Sequence, residues 1–242
     1  MSVSGKIVMM TGAGGGFGAA LAPCLYNAGA NLVLQNANIE PLQAQAESEG
    51  WMQDRILLQA HHVTDRPAVT NAAAAAIARF KKIDVLINLA GINRYGGILT
   101  TREDDWDEIM NVNVTGYYLS ARAVIAAMLE AGSGCILNMS SVWGQRGNPK
   151  MMAYAASKHA VEGLTASLRA EVASQGIKVS SLIVGIADTP FREAMKEHVT
   201  FSEQQRALML QPSDIVAAVN YMLSASPNAL VSSLTLEAWR LQ

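Results

Sequence analysis

Seven short β-prone runs alternate with longer helical segments along the 242 residues, and this alternation restricts the chain to an α/β architecture. The runs are IVMM (7–10), NLVLQ (31–35), RILLQA (55–60), DVLIN (84–88), GCILNMS (134–140), VSSLIV (179–184) and LVSSLTL (230–236). Several are apolar on both faces, as a parallel strand covered by helices on either side must be. Helical patterns fall at about 17–28, 40–50, 66–80, 103–131, 151–175 and 213–224. The alanine run 72–76 favours helix, and Asp65 before Arg66-Pro67 reads as an N-cap with proline in the first turn. No linker, repeat or composition break divides the chain. The expected fold is one α/β domain over 1–242, a doubly wound parallel sheet with helices on both faces. Ligands of such sheets bind beyond the carboxyl ends of the strands.

The stretch directly after the first run is TGAGGGFG. The GxGxxG spacing fails, because Phe17 stands where the third glycine belongs; TGxxxGxG fits, with Thr11, Gly12, Gly16 and Gly18. Glycine lets a backbone approach a diphosphate closely, and the following helix turns its free N–H groups and positive dipole end toward the anion. A dinucleotide is the expected cofactor. The second run ends Leu34-Gln35-Asn36-Ala37, with neither an acid nor an arginine, and no Arg or Lys lies between Gly12 and Gly18. A 2′-phosphate would lack a cationic partner there, so NAD is favoured, with NADP as the alternative and Asn36 as the expected ribose contact.

Composition limits the partners. Formal net charge is −2 with Lys and Arg scattered, which argues against a nucleic-acid partner. Cys24 and Cys135 stand apart in apolar stretches and read as small buried hydrophobes rather than a disulfide or metal pair. The N-terminal apolar run is too short for a signal peptide, and no stretch approaches the ~20 apolar residues of a membrane span. A soluble, cytoplasmic protein without membrane partners is expected. His61-His62 has no further ligands at metal-site spacing, so no metal is expected.

Later in the chain stands YAASK, whose Tyr154 and Lys158 lie four residues apart on one helix face. With the glycine loop, a run of motifs follows in order: Asn88-Leu89-Ala90-Gly91, Asn113 within NVNVTG, and Ser141 within LNMSSVWG, thirteen residues before Tyr154. Over nearly its whole length the chain resembles the short-chain dehydrogenase/reductase family. The resemblance implies a Rossmann-type fold, an NAD(P) cofactor and interconversion of a secondary alcohol with a ketone or aldehyde by hydride transfer. It implies a catalytic tetrad of Asn113, Ser141, Tyr154 and Lys158. Tyr154 would be the general acid/base, its phenol brought down from a pKa of ~10 by the Lys158 ammonium. Lys158 would also bond the nicotinamide ribose, Ser141 the substrate oxygen, and Asn113 a water leading to solvent. Cofactor contacts are expected from Thr11, Gly12, Gly16, Phe17, Gly18, Asn36, Val63, Asn88, Ala90, Gly91, Tyr154, Lys158, Gly185 and Thr189. Ser141, Trp143, Tyr154 and Ile186, with Ile92 nearby, are expected to line the substrate pocket under a lid at 190–211.

Leu89 departs from the family's second asparagine, His62 from its adenine-binding acid, Val184-Gly185 from its Pro-Gly, and the C-terminus lacks a glycine-rich ending. Arg94, Arg146 and Arg192 fall near the expected rim, where any of them could meet an anionic substrate. The family usually forms homodimers or homotetramers, here through 103–131 and 151–175. Two rival readings are a non-catalytic dinucleotide sensor or scaffold and a dehydratase or isomerase variant of the family.

Overall fold

A computed structural model of the chain describes residues 3–241. One seven-stranded parallel sheet runs in the order β3-β2-β1-β4-β5-β6-β7, the arrangement expected from the alternation. Its strands are β1 (Ile7–Thr11), β2 (Asn31–Asn36), β3 (Ile56–Ala60), β4 (Val85–Asn88), β5 (Gly134–Ser141), β6 (Ile177–Val184) and β7 (Ser233–Leu236). The helices are α1 (Gly16–Asn27), α2 (Glu40–Ser48), α3 (Arg66–Phe80), α4 (Glu103–Met110), α5 (Gly116–Glu130), α6 (Met152–Val172), α7 (Glu203–Ala207) and α8 (Pro212–Ser224). The order reverses between β1 and β4, so a crevice opens at their carboxyl ends.

Strand alternation sorts the core into two layers. Val8, Met10, Leu32, Leu34, Ile87 and Leu182 pack against Leu21 and Leu25 of α1 and Ile215 and Val219 of α8. Met9, Val33, Leu86, Ile136 and Val179 face the other way, onto the alanines of α3, Val124 and Met128 of α5 and Val172 of α6. The small side chains of Ala72, Ala73 and Ala76 let α3 lie close to the sheet. Asp65 caps α3 by accepting from the Ala68 amide at 3.0 Å, as its sequence suggests.

At the carboxyl end of this second layer the apolar pattern gives way to a polar row. Register pairs Gln59 with Gln35, Gln35 with Thr11, Thr11 with Asn88, Asn88 with Asn138, and Asn138 with Ser181. Within the row Gln35 Nε2 donates to Gln59 Oε1 at 3.0 Å, and Asn88 Nδ2 donates to Asn138 Oδ1 at 2.9 Å. Asn138 Nδ2 then donates to Thr165 Oγ1 of α6 at 2.9 Å, and Thr165 Oγ1 donates to the Val161 carbonyl at 2.7 Å. Asn88, Asn138 and Thr165 are all buried.

Several elements differ from the sequence expectation: β6 begins at Ile177 rather than 179, and α7 lies where no helix was expected. The helix expected over 103–131 is interrupted by a π-turn, Asn111–Thr115, between α4 and α5. The seventh strand spans Ser233–Leu236 rather than 230–236, paired with Ser181–Val184 of β6. Both cysteines are free thiols. No helix among the described residues is long and apolar enough to cross a membrane.

Replacing Asn138 with leucine would leave the Asn88 amide buried without its acceptor. A loss of about 1–3 kcal/mol in unfolding free energy is expected, measured by urea denaturation. A change within about 0.5 kcal/mol would contradict the polar row's role.

Candidate active site

The crevice is a cleft of about 940 Å³ that starts at the glycine turn and runs past the ends of β4, β5 and β6. Gly12 takes φ +65°, and a Cβ there would stand 2.7 Å from the Ala90 amide nitrogen. At Gly16 a Cβ would come within 2.9 Å of Thr189, and at Gly18 within 2.5 Å of Ala13. These glycines are required by close packing, which keeps the turn flat against the cleft. α1 begins there with no side-chain cap and no acidic residue in its first turn, so its first amides stay unpaired by side chains. An elongated diphosphate fits this cradle. Beyond it, the walls at the other end of the turn include Asn36, Ala37, His61, His62 and Val63.

Tyr154 and Lys158 project from the first turns of α6 on one face, and both are buried. The Lys158 ammonium donates to the Met139 carbonyl at 2.9 Å. It sits 5.7 Å from the centre of the Tyr154 ring and 5.1 Å from that of Tyr117. The Tyr117 hydroxyl donates to the same carbonyl at 3.1 Å. Burial pushes the Tyr154 phenol up to about 12, while its hydrogen bond with Ser141 acts in the opposite direction. Burial brings Lys158 down to about 7, opposed by the negative charge of Glu162 one turn further along α6. The expected lowering of the phenol by Lys158 is therefore not met in the chain by itself. Desolvation penalises both charged forms.

Ser141 ends β5, with its hydroxyl facing the cleft and accepting from the Trp143 amide at 3.2 Å. The neighbouring Ser140 hydroxyl is buried and has no hydrogen-bond partner. Asn113 lies in the π-turn, and its amide clamps Ile92, accepting from its N–H at 2.8 Å and donating to its carbonyl at 2.9 Å. It also donates to Ser157 Oγ at 3.0 Å. The wide turn aligns this side chain with Ile92, which accounts for the break in the helix. Asn113 itself does not line the cleft.

Gly12, Gly16, Phe17, Gly18, Asn36, Val63, Ala90, Gly91, Ser141, Trp143, Tyr154, Lys158, Gly185, Ile186 and Thr189 all border the cleft. Thr11 and Asn88 do not. Thr11 Oγ1 accepts from the Leu89 and Ala90 amides at 3.3 and 3.4 Å, and Asn88 belongs to the polar row, so both support the wall from behind. Among the described residues no group of His, Cys, Asp or Glu could hold a metal. Tyr117, Met139 and Glu162 were not singled out in the sequence. Tyr117 and Glu162 follow Asn113 and Lys158 at helical spacing and were open to that inference, whereas a backbone carbonyl leaves no trace in a sequence.

Residues 6–200 match the sequence model of the short chain dehydrogenase family. The 3-oxoacyl-(acyl-carrier-protein) reductase FabG of Thermotoga maritima is 34% identical over 200 residues, covering 81% of this chain and 80% of that protein. An uncharacterized oxidoreductase of Staphylococcus aureus strain USA300 is 32% identical over 231 residues, 96% of each chain. The crystal structure of levodione reductase superposes with a TM-score of 0.89 at 27% identity, covering 98% of both chains.

Glu162 is the charged group that favours the ammonium form of Lys158. In Glu162→Gln the Lys158 titration should move below about 7, followed by the 15N signal of Nζ against pH. An unchanged midpoint would contradict this electrostatic coupling.

Proposed function

The chain belongs to the short-chain dehydrogenase family and is an NAD(P)-dependent oxidoreductase, and from that premise we propose that it interconverts a secondary alcohol and a ketone with Tyr154 as the proton donor and acceptor. The observation that carries this reading is that Ser141 and Tyr154 both line a cleft that begins at the glycine cradle. A dinucleotide held in the cleft would supply or accept the hydride. In the reducing direction Ser141 donates to the carbonyl oxygen and orients it. Tyr154 releases its proton to that oxygen as the carbon receives the hydride, so one C=O becomes one CH–OH. A phenol held protonated up to about 12 suits donation, and the developing alkoxide is basic enough to take the proton. Lys158, anchored on the Met139 carbonyl, would use its remaining N–H groups to hold the ribose and to act on the phenol. Asn113 contributes by holding Ile92 and Ser157, and through them the floor beneath Tyr154.

The glycine turn, Phe17, Ala90, Gly91, Gly185 and Thr189 would hold the dinucleotide along the cleft. For its adenosine end, Asn36 Nδ2 is engaged with the Asn38 carbonyl at 2.9 Å, which leaves Oδ1 as an acceptor. An acceptor suits a ribose hydroxyl and repels a phosphate. Neither lysine nor arginine accompanies it, and burial holds His61 below its ordinary pKa, so that ring is neutral at pH 7. These features support NAD over NADP. The segment 190–211 acts as the lid: its ends are joined where the Asp188 amide donates to the Leu210 carbonyl at 2.8 Å. Phe191 from this lid lies 5.8 Å from the Tyr154 ring, and its carbonyl accepts from Asn93 Nδ2 at 3.1 Å.

Tyr154→Phe should keep NADH affinity within about twofold and lower kcat/KM for ketone reduction by roughly 10²–10⁴. Sustained turnover by this variant would contradict the assignment. Fluorescence titration of the native protein should give a Kd for NADH at least about tenfold below that for NADPH, a difference of about 1.4 kcal/mol. Tighter NADPH binding would overturn the reading of Asn36.

A further inference from the structure

The charges around the substrate end of the cleft are unequally matched. Arg94 is paired with Glu108 at 2.8 Å and Asp105 at 3.5 Å, and Arg146 with Glu237 at 3.0 Å. Arg192, half-buried on the lid, lines the cleft. It has no carboxylate within ion-pair distance among the described residues. Its guanidinium carbon lies 3.8 Å over the Phe201 ring, and one nitrogen points at the Met209 sulfur. Among the acids of this segment, Asp188 is held by Arg206 at 2.9 Å and Glu193 by Lys196 at 3.7 Å. Asp188 is thus engaged by Arg206, and Arg192 is left without an ion-pair partner among the described residues. Lys150, exposed on the rim of the same cleft, is also without a carboxylate partner among the described residues.

A guanidinium carries five N–H donors in a fixed fork, and a ring face and a thioether satisfy few of them. Partial burial makes the imbalance costly, because the cation loses water without gaining a counter-ion. Burial accordingly lowers the Arg192 pKa from its ordinary value, against the pull of Asp188. An anion entering the cleft would meet an unsatisfied fork next to Phe191, the residue that packs on the Tyr154 ring. The surrounding wall is apolar: Trp143, Ile186, Met195 and Val199.

We propose that the substrate is a ketone, or its alcohol, bearing a terminal carboxylate on an apolar chain, and that Arg192 receives that carboxylate when the lid is closed. This rests on the oxidoreductase reading above and adds the substrate class to it. The competing source of an anion is the dinucleotide diphosphate, because the Arg192 amide donates to the Thr189 carbonyl at 3.2 Å and Thr189 abuts Gly16. The test must separate the two.

Reduction of 4-oxopentanoate, 5-oxohexanoate and 6-oxoheptanoate is compared with that of their ethyl esters, following dinucleotide oxidation at 340 nm. At least one acid should exceed its ester in kcat/KM by about tenfold or more, as charge-assisted bidentate pairing provides. In Arg192→Met that ratio should fall to near one, and Arg192→Lys should retain part of it. Circular dichroism verifies that each variant is folded. Dinucleotide affinity, read by protein fluorescence, should change by less than about twofold. Ester turnover without preference for any acid, or a preference that survives Arg192→Met, would overturn the inference alone. A loss of dinucleotide affinity with the acid preference intact would assign Arg192 to the diphosphate. If neither acids nor esters turn over while the dinucleotide binds, this substrate class is overturned, whereas the alcohol–ketone reading fails only if a wider panel of ketones and secondary alcohols is inert as well.

Discussion

Asn138 is the residue on which the geometry of the cleft turns. Buried at the centre of the sheet, it accepts from Asn88 of β4 and donates to Thr165 of α6, joining three elements whose ends form the crevice. Amide groups in that position cannot exchange their partners for water. Slipping a strand by one residue would turn Asn88 and Asn138 into the opposite layer, beside Ile87 and Leu137, and leave their donors unpaired, at about 1–3 kcal/mol each. The row therefore selects one register and one height for α6. Tyr154 and Lys158 sit in the first turns of that helix, and the same register brings the Met139 carbonyl beneath the ammonium. Positioning of the chemistry is thus a consequence of satisfying hydrogen bonds in the core.

Burial then decides the electrostatics. A phenol and an ammonium drawn into the same dry corner shift in opposite directions, each toward its neutral form. The neutral phenol is the form that can donate a proton. Burial draws Lys158 toward its neutral form, so a charge placed nearby alters the field at Tyr154. Glu162 is one such influence: its Oε2 accepts from Ser181 of the polar row, while its Oε1 is buried without a partner. Core and chemistry are linked at this carboxylate.

Much of this was legible in the chain. Alternating runs announced the parallel sheet because strands buried on both faces have few polar positions to hide. The glycine turn was readable because close approach excludes every other side chain at Gly12 and Gly18. Tyr154, Ser141 and Lys158 were legible as an ordered set. What escaped depended on which way a polar side chain faces. Thr11 and Asn88 were assigned to the cofactor, yet they point back into the sheet, a distinction that needs the register of β1 against β4. The π-turn at Asn113 was hidden within a continuous helical pattern, since its cause is a pair of bonds to Ile92, far away in sequence. Nor could spacing reveal that burial would push the phenol up.

The account stands on Tyr154 as a proton donor whose acidity is set by its surroundings. It is tested most directly by labelling tyrosines with 13Cζ and titrating the resolved Tyr154 signal in the free protein, with NADH and with NAD+. The account predicts a midpoint near 12 in the free protein that falls clearly when the oxidised, positively charged dinucleotide binds, and falls less with the reduced one. A Tyr154 signal that titrates identically in all three states would contradict it.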